Sequence, residues 1–235
     1  MSLRLGQWAV RSVAGLVSLF AWVAPASAAV YTDATGEEFS RNNHLDIRSV
    51  DVTNDGSNLR FKVNLVGDPV ATNWGKYMIG IDSVDGGATS GNGWGRPISM
   101  PTGMDYWIGS WADFGSGQEV YHYDGTNWQK DRASYDATNP LPAPVIDSNS
   151  TTLTVPLSLL GLSDGSTLHF DVYSAGGGGG DSANDASSNP NQSTGDWGQP
   201  YSSELVSTYT VLVPEPASVR ILGLAGLALL ARRRK

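Results

Sequence analysis

Apolar and polar residues alternate strictly from residue 59 to 65. Leu59, Phe61, Val63 and Leu65 fall on one side, and Arg60, Lys62 and Asn64 on the other. A period of two predicts a half-buried antiparallel strand. Segments of the same character recur at 45–52, 77–82, 106–111, 119–123, 151–155, 168–173 and 205–212. Turn signals stand between them: Asn54-Asp55-Gly56, Asp85-Gly86-Gly87, Asp124-Gly125 and Asp164-Gly165. The one stretch that reads as helical is a turn near 157–162. Short strands joined by glycine-rich turns, with no long helix, predict an all-β fold: a single antiparallel β-sandwich, jelly-roll-like, over residues 29–212.

The two ends follow a different pattern. Arg4 and Arg11 precede or open an apolar run at 13–23, and Pro25 and Ala26-Ser27-Ala28 follow it. That order describes a signal peptide, residues 1–28, cut by signal peptidase after Ala28; an uncleaved N-terminal anchor is the alternative. In either case the apolar run implies an N-terminal signal helix. The other end, residues 213–235, reads Val213-Pro214-Glu215-Pro216, an apolar run at 221–231, then Arg232-Arg233-Arg234-Lys235. A helix-breaking element, a short C-terminal hydrophobic helix and a positive stop that stays cytoplasmic closely resemble the PEP-CTERM sorting signal of Gram-negative bacteria. The resemblance implies an exported protein, held transiently in the inner membrane, cut near Pro-Glu-Pro by an exosortase-type enzyme, and delivered to the cell surface or extracellular matrix. The apolar run has 11 residues, where a bilayer takes roughly 20, so the tail suits a transient anchor. Extending it inward would oblige Arg220 to snorkel.

Removing the ends changes the charge. The chain carries 15 basic and 23 acidic residues. Seven of the basic residues and one acid, Glu215, lie in the terminal segments, so the middle stands near −14 rather than −8. Such a surface repels phosphate backbones and argues against nucleic acid as a partner. The absence of cysteine excludes thiol catalysis, cysteine-ligated metals and disulfides.

Two strand groups carry a second resemblance. One is residues 44–55 followed by 59–65; the other is residues 168–174 and the glycine-rich loop that ends in Asp196-Trp197-Gly198. With Asn73-Trp74 ahead of the 77–82 segment, they resemble the DOMON-like, family 9 carbohydrate-binding sandwiches attached to secreted glycan-active enzymes. The resemblance implies sugar binding and, in several such domains, structural calcium.

Six tryptophans lie outside the signal peptide: Trp74, Trp94, Trp107, Trp111, Trp128 and Trp197. Aromatic faces stack on sugar rings. Trp94 and Trp197 fall in loops and Trp128 just after a turn, so these three are the candidate contacts for extracellular polysaccharide. Trp107 and Trp111 fall in an apolar strand and read as core; all six packing structurally is the competing reading. Carboxylates cluster at Asp33, Glu37 and Glu38 and again at Asp181 and Asp185. Calcium takes six to eight oxygens from flexible loops. The family resemblance favours Asp33 with Glu37 as ligands to Ca2+, with Asp181 and Asp185 as the second choice and plain solvated acidic loops as the alternative. Residues 176–191, rich in Gly, Ser, Asn and Asp, read as a mobile connector.

Catalysis is not expected. His44, His122 and His169 are scattered, and no metalloprotease, nucleophile-elbow or phosphate-loop motif occurs. A structural surface protein with no specific ligand, and a two-carboxylate glycan-cleaving enzyme, stand as alternatives to the binding module.

Overall fold

The computed structural model describes residues 28–212. The expected signal and C-terminal helices, and the sorting residues Val213, Pro214, Glu215, Pro216, Arg232, Arg233 and Arg234, lie outside the described residues; Ala28 is their first. Within them the chain is all-β and its main sheets are antiparallel.

Strands β2 (Ile47–Asn54) and β3 (Asn58–Leu65) form the hairpin that the alternation predicts, with Leu59, Phe61, Val63 and Leu65 all buried. The turn between them is set by Asp55, whose carboxylate accepts the N–H groups of Ser57 and Asn58, and by Gly56 at φ 86°. The first sheet adds β1 (Ala28–Thr32) on one side, then β10 (Ser150–Pro156) and β9 (Val145–Asp147) on the other, in the order β1-β2-β3-β10-β9. A 3₁₀ turn at Leu157–Leu160, closed by Gly161 at φ 63°, leaves β10 where the helical signal stood.

The second sheet is built on β4 (Lys76–Asp82), β6 (Tyr106–Trp111), β7 (Gly117–Tyr123) and β8 (Trp128–Ala133). On the other side of β4 lies β11 (Thr167–Ala175), which pairs with both β12 (Asp185–Ala186) and β14 (Ser207–Thr210). The sheets pack face to face. Val50, Val52, Phe61 and Val63 of the first meet Ile79, Ile81, Ile108, Phe170 and Val172 of the second in one core. Phe170 sits at its centre, with ring contacts to Tyr31 at 5.1 Å and Phe61 at 5.3 Å.

The second sheet is covered on its other face as well. Met78, Trp107 and Tyr173 are buried there under Ile98, Met100, Met104, Ala183, Ala186 and Tyr201. That layer consists of loops held by a two-residue parallel pairing of β5 (Ile98–Ser99) with β13 (Tyr201–Ser202). Burial on both faces explains why β4 reads as a continuous apolar run, Tyr77-Met78-Ile79-Gly80-Ile81, instead of alternating. It also overturns the reading of 176–191 as a mobile connector. Gly177 to Gly180 are exposed, but Ser182 through Ser187 are buried and contribute β12. Small side chains here permit close packing on β11, which a compositional reading takes for flexibility.

Candidate functional site: an acidic pocket and an aromatic face

The acidic pocket begins where β1 ends. The Asp33 N–H donates to the Arg48 carbonyl, and Asp33 Oδ1 accepts from Ala34 N at 2.8 Å. Gly36, at φ 81°, then reverses the chain and donates its N–H to Asp46 Oδ2 at 2.8 Å. That reversal brings Glu37 and Glu38 back over Asp46, at the head of β2. From the far end of the sequence β12 delivers Asp185, which accepts Ile47 N at 2.6 Å and Ala186 N at 2.7 Å. Carboxylate oxygens of Asp33, Glu37 and Asp185 all lie within 4.8 Å of one another.

Several oxygens here are sealed from solvent with no donor: Asp33 Oδ2, both of Glu37, Glu38 Oε2 and Asp46 Oδ1. Burial is the main reason that Asp33 is pushed up to about 7 and Asp46 to about 6, with neighbouring carboxylates adding to it. Burial likewise drives Asp185 well above the usual carboxylate range, with Asp33 its chief charged neighbour. Behind the pocket, Asp171 is fully buried and raised to about 6 by desolvation, although Ser203 Oγ and the N–H groups of Val172 and Ser188 bond to it. Hard oxygen donors in loops, deprived of hydrogen-bond donors, suit a Ca2+-sized hard cation and not a thiophilic metal. The residues therefore fit the group that the sequence resemblance implies, with Asp33, Glu37 and Asp185 as the ones that would hold it.

The structure thus unites Asp33 and Glu37 with one member of the second pair. Asp181 is elsewhere: its carboxylate accepts Gly178 N at 2.9 Å, and Arg96 binds the backbone carbonyls of Asp181 and Gly176. Asp46 and Asp171 escaped the sequence reading. Each lies in an apolar strand context, Leu45-Asp46-Ile47 and Phe170-Asp171-Val172, and a carboxylate in such a place is the signal that was there to find.

The aromatic face lies on the outer side of the second sheet. The Trp94 ring rests on Gly109 of β6, where a Cβ would come within 2.2 Å of it. The Trp111 ring rests in the same way on Gly117, and the two rings stand 6.3 Å apart at 42°. Tyr135, 58% exposed, continues the row 6.2 Å from Trp111 at 46°. Glu119 organises the rings. Its Oε2 accepts Trp94 Nε1 and Tyr121 OH, both at 2.9 Å, and its Oε1 accepts Tyr135 OH. Burial opposes the Glu119 charge, but hydrogen bonds from Tyr135, Trp94 and Tyr121 outweigh it and hold the carboxyl below its ordinary value. Lys130 lies 3.7 Å from Glu119 and bonds Tyr135 OH at 2.9 Å.

Trp94, Trp128 and Trp197 do not converge. Trp197 packs edge-on against Phe39 at 4.9 Å and Trp74 at 6.1 Å, and Trp74 against His44 at 4.3 Å. Trp128 pairs with Tyr123 at the opposite end of the second sheet from Trp111. Trp107 is fully buried as expected. Trp111 is half-buried: it is the last residue of β6, where the covering layer no longer shields it.

No known protein-family profile matches the chain, and no curated protein or solved structure matches it either.

Proposed function

We propose that this chain is an exported surface or matrix protein of a Gram-negative bacterium, released by signal peptidase and an exosortase-type enzyme, whose β-sandwich binds extracellular polysaccharide. The reading of the two ends rests on the sequence alone. The binding reading rests on one observation, the row Trp94–Trp111–Tyr135 with Glu119 behind it. Trp94 and Trp111 are held by close approach to Gly109 and Gly117, and Trp94 and Tyr135 by hydrogen bonds to Glu119, so the row offers aromatic surface to successive sugar rings with little ordering cost. Glu119 and Lys130 stand beside them as polar contacts for hydroxyl groups. In this reading Ca2+ is a structural ion of the acidic pocket, supplying the positive charge that its carboxylates lack.

Retention on the producing cell's own exopolysaccharide tests the binding. Replacing Trp94 and Trp111 together by Ala is expected to weaken it at least tenfold, while the far-UV circular dichroism stays that of the parent. Stacking contributes about 1 kcal/mol or more per ring, so two rings account for a loss of that size. Unchanged retention in the double variant removes this face as the site and favours a structural protein with no specific ligand. Release of reducing sugar on incubation identifies a glycan-cleaving enzyme instead.

A further inference from the structure

The hairpin that carries Trp111 ends in a strained turn. Between β6 and β7 the chain runs Ala112-Asp113-Phe114-Gly115-Ser116, and three successive residues are left-handed: Phe114 at φ 48°, Gly115 at 87° and Ser116 at 60°. Glycine takes that conformation freely, but a bulky side chain there is an outlier. The foot of the turn is fixed by Lys76, bonded to Asp113 at 2.9 Å, and by the Ala112 N–H, which donates to the Gly75 carbonyl at 3.2 Å. The result is a phenyl ring 96% exposed to water. Neither backbone nor burial favours phenylalanine at 114, and strain of this kind gathers where a ligand is held.

A cavity of about 240 Å³ opens beside the turn. Pro69, Val70, Ala112 and Ile146 give it apolar walls, and Asn73 and Ser116 add polar groups. Among the described residues neither of those two side chains has a hydrogen-bond partner. Drug-sized ligands fill roughly 300–1,000 Å³, so this cavity suits one substituent of a larger ligand. It adjoins the aromatic row: Ala112 of its wall follows Trp111, and the Trp111 ring rests on Gly117, the neighbour of Ser116. Apolar walls with two hydrogen-bonding groups match the methyl and carbonyl of an acetyl ester. Asp68, Asp113 and Asp147 each stand next in sequence to a lining residue, and Lys76 is committed to Asp113. Carboxylates so placed repel an anionic lipid surface and leave a neutral ester untouched. We infer that Phe114 and this cavity form a subsite for an O-acetyl group on the sugar stacked against Trp111, with the phenyl ring packed on the ester methyl. This rests on the polysaccharide reading above and narrows its ligand to an O-acetylated chain.

Retention on the producing cell's own exopolysaccharide, native and after mild alkali has removed its acetyl esters, tests the subsite. The parent should hold the native polymer about tenfold more tightly than the deacetylated one, a difference of about 1.4 kcal/mol. Phe114→Asn and Val70→Trp should hold both polymers alike, at the parent's level for the deacetylated one. Asn accepts a positive φ, so the melting temperature of Phe114→Asn should equal or exceed the parent's, which separates a lost contact from a lost fold. Equal retention of both polymers by the parent overturns the subsite and leaves the aromatic row standing. Retention of neither overturns the polysaccharide reading and the subsite with it. Capture of the parent, but not of Phe114→Asn, by vesicles of phosphatidylethanolamine and phosphatidylglycerol makes the turn a membrane contact and overturns the subsite as well.

Discussion

Gly109 and Gly117 show how a single absent side chain prepares a binding face. A glycine inside a strand weakens it by roughly 0.5–1 kcal/mol relative to alanine, and here each makes room for an indole ring lying on the sheet. The glycine inside Tyr106-Trp107-Ile108-Gly109-Ser110-Trp111 was legible as a point of close approach. Which tryptophan would fill it was not, because Trp94 arrives from a loop 15 residues away. Gly109→Val is expected to push the Trp94 ring off the sheet and break its bond to Glu119, since a Cβ would sit 2.2 Å from the indole. Polysaccharide retention should then fall about as far as in Trp94→Ala. A red shift of tryptophan fluorescence would confirm the displaced ring, and full retention with an unchanged spectrum would show that the ring position does not matter.

At the scale of elements, legibility followed burial. Where one face of a strand met the core and the other met water, the period of two was clean. The expected segment at 59–65 then lies within a residue of β3; those at 77–82 and 106–111, buried on both faces, were legible as apolar runs and lie within a residue of β4 and β6. The strands that escaped notice lack that contrast. The segment β8, Trp128-Gln129-Lys130-Asp131-Arg132-Ala133, is an edge strand whose charges guard a free hydrogen-bonding side. The strands β5, β12 and β13 have two residues each and exist because of the loops they fasten. The acidic pocket was half legible for a related reason. Asp33 and Glu37 are near neighbours in sequence, but Asp185 reaches them only through the pairing of β12 with β11, which no local pattern records. Sheet-on-sheet packing yields a prediction at this scale. Phe170→Ala removes the ring shared by Tyr31 and Phe61 and leaves a cavity between the sheets. A loss of about 3–5 kcal/mol in urea unfolding is expected. A loss under about 1 kcal/mol would mean that the two sheets close over the gap.

For the whole molecule, the acid excess is concentrated where it costs most. Three carboxylates of the described region have folded pKa values raised from 3.8 to between about 6 and about 7: Asp33, Asp46 and Asp171. A raised carboxylate pKa means that the folded state holds protons which the unfolded state has released. Stability from these groups is therefore complete below about pH 4 and is lost as the pH rises through about 6 to 7. For Asp171, fully buried, the shift corresponds to roughly 2–3 kcal/mol. Asp33 and Asp46 interact with each other and with neighbouring carboxylates, so their shifts are not independent contributions to be added. Asp55 works in the opposite sense. Burial raises it, but the Asn58 and Ser57 N–H groups and Arg60 together outweigh burial and hold it at about 2, so its contribution fades only below about pH 4, outside this window. In chelator the melting temperature is therefore expected to rise on acidification from about pH 7.5 to about pH 5.5. Saturating calcium should remove the part of that slope that comes from the pocket carboxylates and leave that of Asp171, because the cation then supplies the charge that protons supplied there, and an ion at a hundredfold its dissociation constant adds about 2.7 kcal/mol per site. Protons and calcium compete for the same oxygens, so the two melting curves should converge as the pH approaches about 5. Parallel curves across the whole range would place the stabilising calcium away from these carboxylates, and a chelator curve that falls on acidification would show that they are ionised and already compensated in the folded chain.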